Sequence, residues 1–469
     1  MRRLPSLFYN YAEDTLYHHS ALGDVFERRL GARTLYLCHP RLVEQVLVHR
    51  AGQFRKGRGY EAVRGVLGEG VFASNGETWS RQRRLLDPEF STARLESQLP
   101  ALHEELDGLT ARWWGTAMCN VPLPLERAVG EFSLRLLGAT MLQSSVGDSF
   151  ELIARCMRAS LEQSTRRLLS GGLLQPWMPT PGNIRARRAE RQMSGAIDQL
   201  IAEARTRPEA QPEPGGGRAQ RPDSQGRCPF GFDRAGSPEP AADEGRRGLL
   251  EAMLTEPDPR TGEAMSDSQL QALCRSLMFA GHGTIALTIT WALMCALEDP
   301  AVEAKIVAEV RRVLAGRLPT LEDISRLVYT RQVILETLRL FPPIPAVSRE
   351  ARVSGRVLGV DVREGEMVTI PVYVLHRHRQ FWRDPERFDP ERWGPERPAP
   401  DPFAYMPFLR GERSCPADSL AILTSVACLA TIIDRFELRR LAAGPLRARA
   451  RICLHPDPSP RVQVYPRSR

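Results

Sequence analysis

Ten residues near the C-terminus, Phe408-Leu-Arg-Gly411-Glu-Arg413-Ser-Cys415-Pro-Ala417, limit what this chain can fold into more than any other stretch. They end where an apolar helical pattern begins, at about Pro416, and that pattern runs to Ile433. A cysteine at such a junction lies beside the backbone N–H groups of a helix start, which lower a thiol's pKa and stabilise the thiolate. Gly411 allows a tight turn ahead of it, and Arg413 offers a guanidinium to an anion held nearby. An isolated cysteine before a helix is ordinarily a small buried hydrophobe. The Phe, Gly and Arg at fixed spacing set this cysteine apart from that ordinary case. A second Cys-Pro pair, Cys228-Pro229, lacks those companions and could serve at most as a labile surface ligand.

The chain has 469 residues, 42% hydrophobic and 26% charged, which permits a large core and excludes disorder throughout. Its long polar, Gly/Pro-rich interruption lies only near the middle. One mainly α domain over residues 1–469 is therefore expected, with a flexible internal linker at 207–246. The net charge is +8 and the pI near 9.2. The basic residues, however, are scattered through amphipathic segments and form no arm or stripe, which argues against nucleic acid. Nearly all are arginine, since Lys56 and Lys305 are the only lysines. None of the nine cysteines falls in a CxxC pair, so neither a disulfide framework nor a zinc site is indicated, and a reducing cytoplasm fits. Met1-Arg2-Arg3-Leu4-Pro5 leads into no apolar run, so neither a signal peptide nor a membrane anchor is expected. Leu277 to Leu297 is apolar enough to resemble a membrane span. Gly281-His282-Gly283-Thr284 near its start, and the character of the chain around it, favour a buried core helix.

Val25 to Cys38 alternates as a hairpin does, with Gly31 at the turn, and His39-Pro40 opens a helical pattern through Val48. From Leu99 to Arg205, helical segments are divided by Pro122, Pro124 and the run Gly171 to Gly182. That run carries Leu173, Leu174, Trp177 and Met178 and reads as a packed connector, ahead of a substrate entrance or membrane-touching tip. Beyond the linker the pattern predicts helices at about 267–298, 302–314 and 321–340, the last stopping before Pro342-Pro343. Short antiparallel strands are predicted over 353–370.

The cysteine stretch resembles the FxxGxRxC loop of the cytochrome P450 family, and Leu420-Ala421 continues that family's helix. The family's glycine two residues after the cysteine is Ala417 here. Glu336-Thr-Leu-Arg339, a pair on one helix face, would ordinarily be a surface ion pair. Followed by Leu340-Phe341-Pro342-Pro343, it resembles the family's ExxR helix, and Pro390-Glu391-Arg392 is similar to the segment whose arginine completes a buried triad. The resemblance thus gives Glu336, Arg339 and Arg392 a structural role. Trp79 and Arg83 resemble the WxxxR helix that contacts a haem propionate, and Arg349 and Arg413 fall where further propionate-binding arginines occur. Phe408 would lie against the haem. Ala280-Gly281-His282-Gly283-Thr284 resembles the A-G-x-D/E-T motif, in which helix distortion opens an oxygen pocket and Thr284 guides protons. Its acid position is Gly283.

The resemblance implies the family's mostly helical fold with a small β-rich region and haem b (iron protoporphyrin IX) held by Cys415. The implied activity is a monooxygenase that inserts one oxygen atom from O2 into a lipophilic small molecule such as a fatty acid, a terpenoid or another natural product. A thiolate ligand favours O–O cleavage, so ligand and reaction belong together. Ala280, Ala346 and Val347 are the implied substrate contacts. With no flavin or nicotinamide segment in the sequence, a ferredoxin or flavodoxin with its reductase is the expected partner, docking on Arg81, Arg84 and Arg410, and a monomer is expected. Gly283 leaves a peroxide-using or specialised biosynthetic oxidase as the alternative, and a non-catalytic haem sensor as a remote third.

Overall fold

The computed structural model describes residues 10–30, 32–142, 148–169, 174–206, 249–255, 257–258, 260–442, 444–445, 447–450 and 452–468. The expected linker at 207–246, Cys228, Gly31 and the residues 171–173 lie outside these.

Helix Asp267–Glu298 forms the centre of the molecule. Ser266 and Gln269 close a capping box at its start, each side chain bonding the other's backbone N–H. Its sequence is almost wholly apolar from Leu277 to Leu297, so most of it must be covered by other elements. Helices Leu125–Leu137, Asp148–Leu169 and Pro181–Thr206 pack against it, and Val328–Leu340 and Asp418–Arg435 also pack against it. Among the described residues this is the one helix long and apolar enough to cross a membrane, and most of its apolar stretch is buried inside the protein. Trp177 in the apolar connector is 71% exposed, so that segment is not the fully packed connector expected.

A five-stranded sheet flanks the helices, in the order Val25–Leu30, Ala32–Leu37, Met367–Ile370, Val347–Ala351, Phe54–Arg55. The expected hairpin is present, with Phe26 opposite Tyr36. Within 353–370 the prediction holds for the hairpin Gly355–Val357 and Val360–Val362, which turns through Leu358 and Gly359, both at positive φ. Met367–Ile370 instead joins the large sheet, parallel to one neighbour and antiparallel to the other. Strand Val347–Ala351 was not anticipated, because Ser348, Arg349 and Glu350 interrupt any apolar signal.

The predicted helix over 321–340 is two helices, Leu321–Arg326 and Val328–Leu340. The break at Leu327 has a tertiary cause. Glu309, from helix Pro300–Leu314, accepts the N–H groups of Tyr329 and Thr330 at 2.8 Å each and caps the second helix from outside. Helix Tyr11–Leu22 is tied down by Asp24, whose Oδ1 lies 3.1 Å from His19 Nε2 and 2.9 Å from His378 Nε2. This trio resembles a metal ligand set. Gln380 N–H, however, donates to His378 Nδ1, so the proton of that ring sits on Nε2 and is directed at the carboxylate.

Candidate active site

The cysteine loop is closed by its own backbone. Cys415 N–H donates to the Phe408 carbonyl at 2.8 Å, Ser414 N–H to Gly411 at 3.0 Å, and Leu409 N–H to Met406 at 3.0 Å. Gly411 is required twice over, because its φ is +78° and a Cβ there would lie 2.2 Å from the Leu47 carbonyl oxygen. Cys415 is half-buried at the surface of this turn, three residues before helix Asp418–Arg435. Ala417 has φ −100°, an ordinary value for an L residue, so the departure from glycine costs no backbone strain.

Behind the loop, Glu336 and Arg339 are both fully buried. Arg339 donates Nε and Nη2 to the two Glu336 oxygens at 2.8 Å each, a bidentate pair. Its remaining donors reach the carbonyls of His376, Pro385 and Arg387. Glu336 also accepts from Asp389 N–H at 2.9 Å, Arg392 Nε at 3.2 Å and Trp393 Nε1 at 3.1 Å. The three residues expected to form a triad are therefore together. The segment 376–393 that wraps them is held by backbone carbonyls and an N–H, contacts that no side-chain pattern announces. His376, which sequence reasoning missed, is fully buried. Its Nδ1 lies 3.0 Å from the Arg339 carbonyl, and its Nε2 accepts Met406 N–H at 3.0 Å. Burial pushes its pKa down to about 3, so the ring is neutral, with its proton on Nδ1.

On the edge facing helix Gly76–Leu86 the structure gathers cations. Arg83 Nη1 donates to the Ser414 carbonyl at 2.5 Å, which joins that helix to the cysteine loop. The Arg413 guanidinium stacks on the Trp79 ring at 3.6 Å and donates to the Ser74 carbonyl at 3.2 Å. Arg349 lies buried on strand Val347–Ala351. Lys56, also missed from sequence, donates to the Val71 carbonyl at 2.7 Å. Burial, and then the charges of Arg413, Arg349, Arg83 and Arg64, hold its pKa well below the usual lysine range. Its scarcity was the only signal, as it is one of two lysines in the chain. A half-buried lysine beside four arginines is an unfavourable arrangement that a dianion would relieve. These residues and the thiol of Cys415 fit the carboxylates and metal of a haem.

The central helix supplies the opposite wall. Ala280 is exposed although it lies mid-helix between buried turns, and Gly281 through Ile285 are half-buried, so this turn is less covered than those on either side. A Cβ on Gly283 would meet nothing within 4 Å, whereas one on Gly281 would press on Leu137 at 2.9 Å. The expected distortion is absent from the backbone pattern, which is continuous α-helix from Asp267 to Glu298. Thr284 Oγ1 donates to the Ala280 carbonyl at 2.6 Å and Ser133 Oγ to the His282 carbonyl at 2.9 Å. His282 is turned inward, with Nδ1 2.6 Å from the Met278 carbonyl, and burial lowers its pKa. Phe72 and Phe279 meet edge to face at 4.8 Å beside Ala280. Of the other implied substrate contacts, Ala346 is half-buried, and Val347 packs into the core beneath the sheet with Leu35, Leu37 and Val368. Phe408 is partly buried against the main core.

Arg81 and Arg84, expected to be open for an electron donor, are engaged within the chain. Arg84 pairs with Asp258 at 2.8 Å and Glu77 at 2.9 Å. Arg81 donates to the carbonyls of Glu263 and Ala264 at 2.6 and 2.8 Å. Asp258, Glu263 and Ala264, which receive them, lie just ahead of the central helix.

Comparison with known proteins bears on these features together. The family model described as Cytochrome P450 matches residues 10–458. Cyclooctatin synthase of Streptomyces melanosporofaciens is 30% identical over 442 residues, which are 93% of this chain and 88% of that protein. Pentalenene oxygenase of Streptomyces avermitilis is 28% identical over 429 residues, 89% of this chain and 85% of that protein. In fold, the chain is similar to the haem domain of a cytochrome P450DA mutant, with a TM-score of 0.80 at 20% identity, covering 97% of this chain and 93% of that one. The chain is an oxidoreductase that belongs to the cytochrome P450 family.

Proposed function

We propose that this enzyme is a haem-thiolate monooxygenase that hydroxylates a lipophilic terpenoid, with haem b ligated by Cys415 and electrons delivered by a ferredoxin or flavodoxin through its reductase in the bacterial cytoplasm. The carrying observation is the convergence of Lys56, Arg83, Arg349 and Arg413 at the cysteine loop, a cation set suited to two propionates. The terpenoid reading is supported by relatives named cyclooctat-9-en-7-ol 5-monooxygenase and pentalenene oxygenase.

When bound, haem supplies reductive activation of O2 and transfer of one oxygen atom to carbon. The chain's own residues do the rest. The backbone-closed loop fixes the Cys415 sulfur, and the arginines and Lys56 orient the cofactor through its carboxylates. Phe72, Phe279 and Ala280 offer an apolar wall that excludes water and gives a hydrocarbon no polar group to desolvate. Thr284 can pass a proton from its hydroxyl once it releases the Ala280 carbonyl. No carboxylate accompanies it at Gly283, so ordered water or a polar group on the substrate completes the relay.

Optical titration of the haem-loaded enzyme with cyclic terpenes, fatty acids and polar controls tests the assignment. Displacement of the distal water by terpenes, with product formed from O2 and redox partners, is the expected outcome. Turnover with peroxide alone at equal or higher efficiency would favour the peroxide-using alternative.

A further inference from the structure

We propose that His376 is a positioning residue for the thiolate, through its ring nitrogens rather than its bulk. It rests on Cys415 being the haem ligand. Nδ1–H is held by the carbonyl of Arg339, one of the two residues of the buried pair, and Nε2 receives the N–H of Met406. The Met406 carbonyl in turn receives Leu409 N–H, which opens the turn, and the Phe408 carbonyl receives Cys415 N–H, which closes it. A short hydrogen-bonded path thus runs from the Glu336 cluster to the backbone of the ligand. Leu409 within this turn has φ +62°, a conformation that a non-glycine residue keeps only where its surroundings enforce it. The bond from His376 to Met406 is one of the constraints that enforce it. Tyr405 makes a parallel tie, its hydroxyl donating to the Leu335 carbonyl at 2.9 Å, but through a side chain rather than the loop backbone.

The two ring nitrogens can be removed separately. Asn at this position reproduces the Nδ1 donor and cannot reach Met406; Gln places an acceptor where Nε2 was and loses the Arg339 bond. His376→Asn, His376→Gln and Tyr405→Phe would be prepared as full-length, haem-loaded proteins. Each loses one buried hydrogen bond, so comparable losses of melting temperature are expected. The ferrous carbon monoxide spectrum should separate them. His376→Asn should show a several-fold larger neutral-thiol fraction than wild type, while His376→Gln and Tyr405→Phe should keep the thiolate band.

Equal thiolate fractions in the Asn and Gln variants would reduce His376 to a filler of the core and overturn the proposal. Should the Asn variant carry no haem, the Gln variant decides: a retained thiolate band supports the proposal, and a lost one overturns it. A wild-type protein without the thiolate band would instead overturn the ligand assignment itself.

Discussion

The two walls of the site are built differently. On the cysteine side, Glu336 alone is held by four partners, His376 by both ring nitrogens, and Cys415 by a turn in which Gly411 has no room for a methyl group. On the oxygen side, Gly283 faces open space and Thr284 bonds to its own helix. Replacing a residue on the first wall removes a partner from a buried polar group, while replacing one on the second changes what can sit in the space beside it. On the proposed function, the chemistry common to the family would depend on the crowded wall, and selectivity would be free to vary on the open one.

The comparison can be broken first at the ligand. Cys415→Ala should abolish the thiolate-type Soret band of the ferrous carbon monoxide complex, and Cys228→Ala should leave it intact. Persistence of that band in the first variant would refute the assignment. Next in size is Glu336→Ala, which leaves Arg339 buried without its counter-charge and should cost about 3–5 kcal/mol, with little haem-loaded protein recovered. Thr284→Ala should change melting temperature far less, and equal losses would erase the contrast between the walls.

A third effect is read in pH. His376 is neutral when folded, with a pKa near 3, but protonates at about 6.5 in the unfolded chain. Its contribution is fully present above pH ~6.5 and falls by about 1.4 kcal/mol per unit as the pH drops toward 3. His282, also held low by burial, adds in the same sense. Denaturant melts of His376→Gln should show a flatter acid limb than wild type, and an unchanged slope would mean that this ring is not the group responsible.

Smaller again, Gly283→Glu should raise the product formed per electron pair, by less than the ~10²-fold of a fully positioned acid. A Cβ at Gly283 meets nothing within 4 Å, so affinity for substrate should hold. Lost affinity would show that the space belongs to the substrate, and unchanged coupling at full affinity would reject the relay. The least effect is expected at Arg84. Since Asp258 and Glu77 already occupy it, Arg84→Ala should leave the salt dependence of reduction by an acidic ferredoxin nearly unaltered, while Arg410→Glu should weaken it. A large change at Arg84 would mean that the donor displaces those carboxylates.

The crowded wall was partly legible in sequence because its key residues are close together along the chain: the cysteine loop is contiguous, and Glu336 and Arg339 are one helical turn apart. Their partners were not legible. His376 sits within Leu-His-Arg-His-Arg, where a histidine reads as one more polar residue, and its role depends on Arg339 and Met406 being brought to it. Lys56 gives no local pattern at all, and only folding places it among the arginines. The break at Leu327 was missed for the same reason, since the side chain that caps the following helix belongs to Glu309. On the open wall, the helix over 267–298 and the departure at Gly283 were both legible, whereas the distortion that the motif implied is not in the backbone pattern.

The bond from Arg83 to the Ser414 carbonyl joins residues 331 positions apart, and that from Arg413 to the Ser74 carbonyl spans 339. Contacts this distant form only after most of the chain is available to fold. On the ribosome, the helix bearing Trp79 emerges long before the loop bearing Cys415. A nascent chain that stops before the loop has half a cradle and no ligand. Cofactor capture through these residues would thereby wait until the cysteine loop has been made, and haem retention would report that residues 74–83 and 413–415 have met.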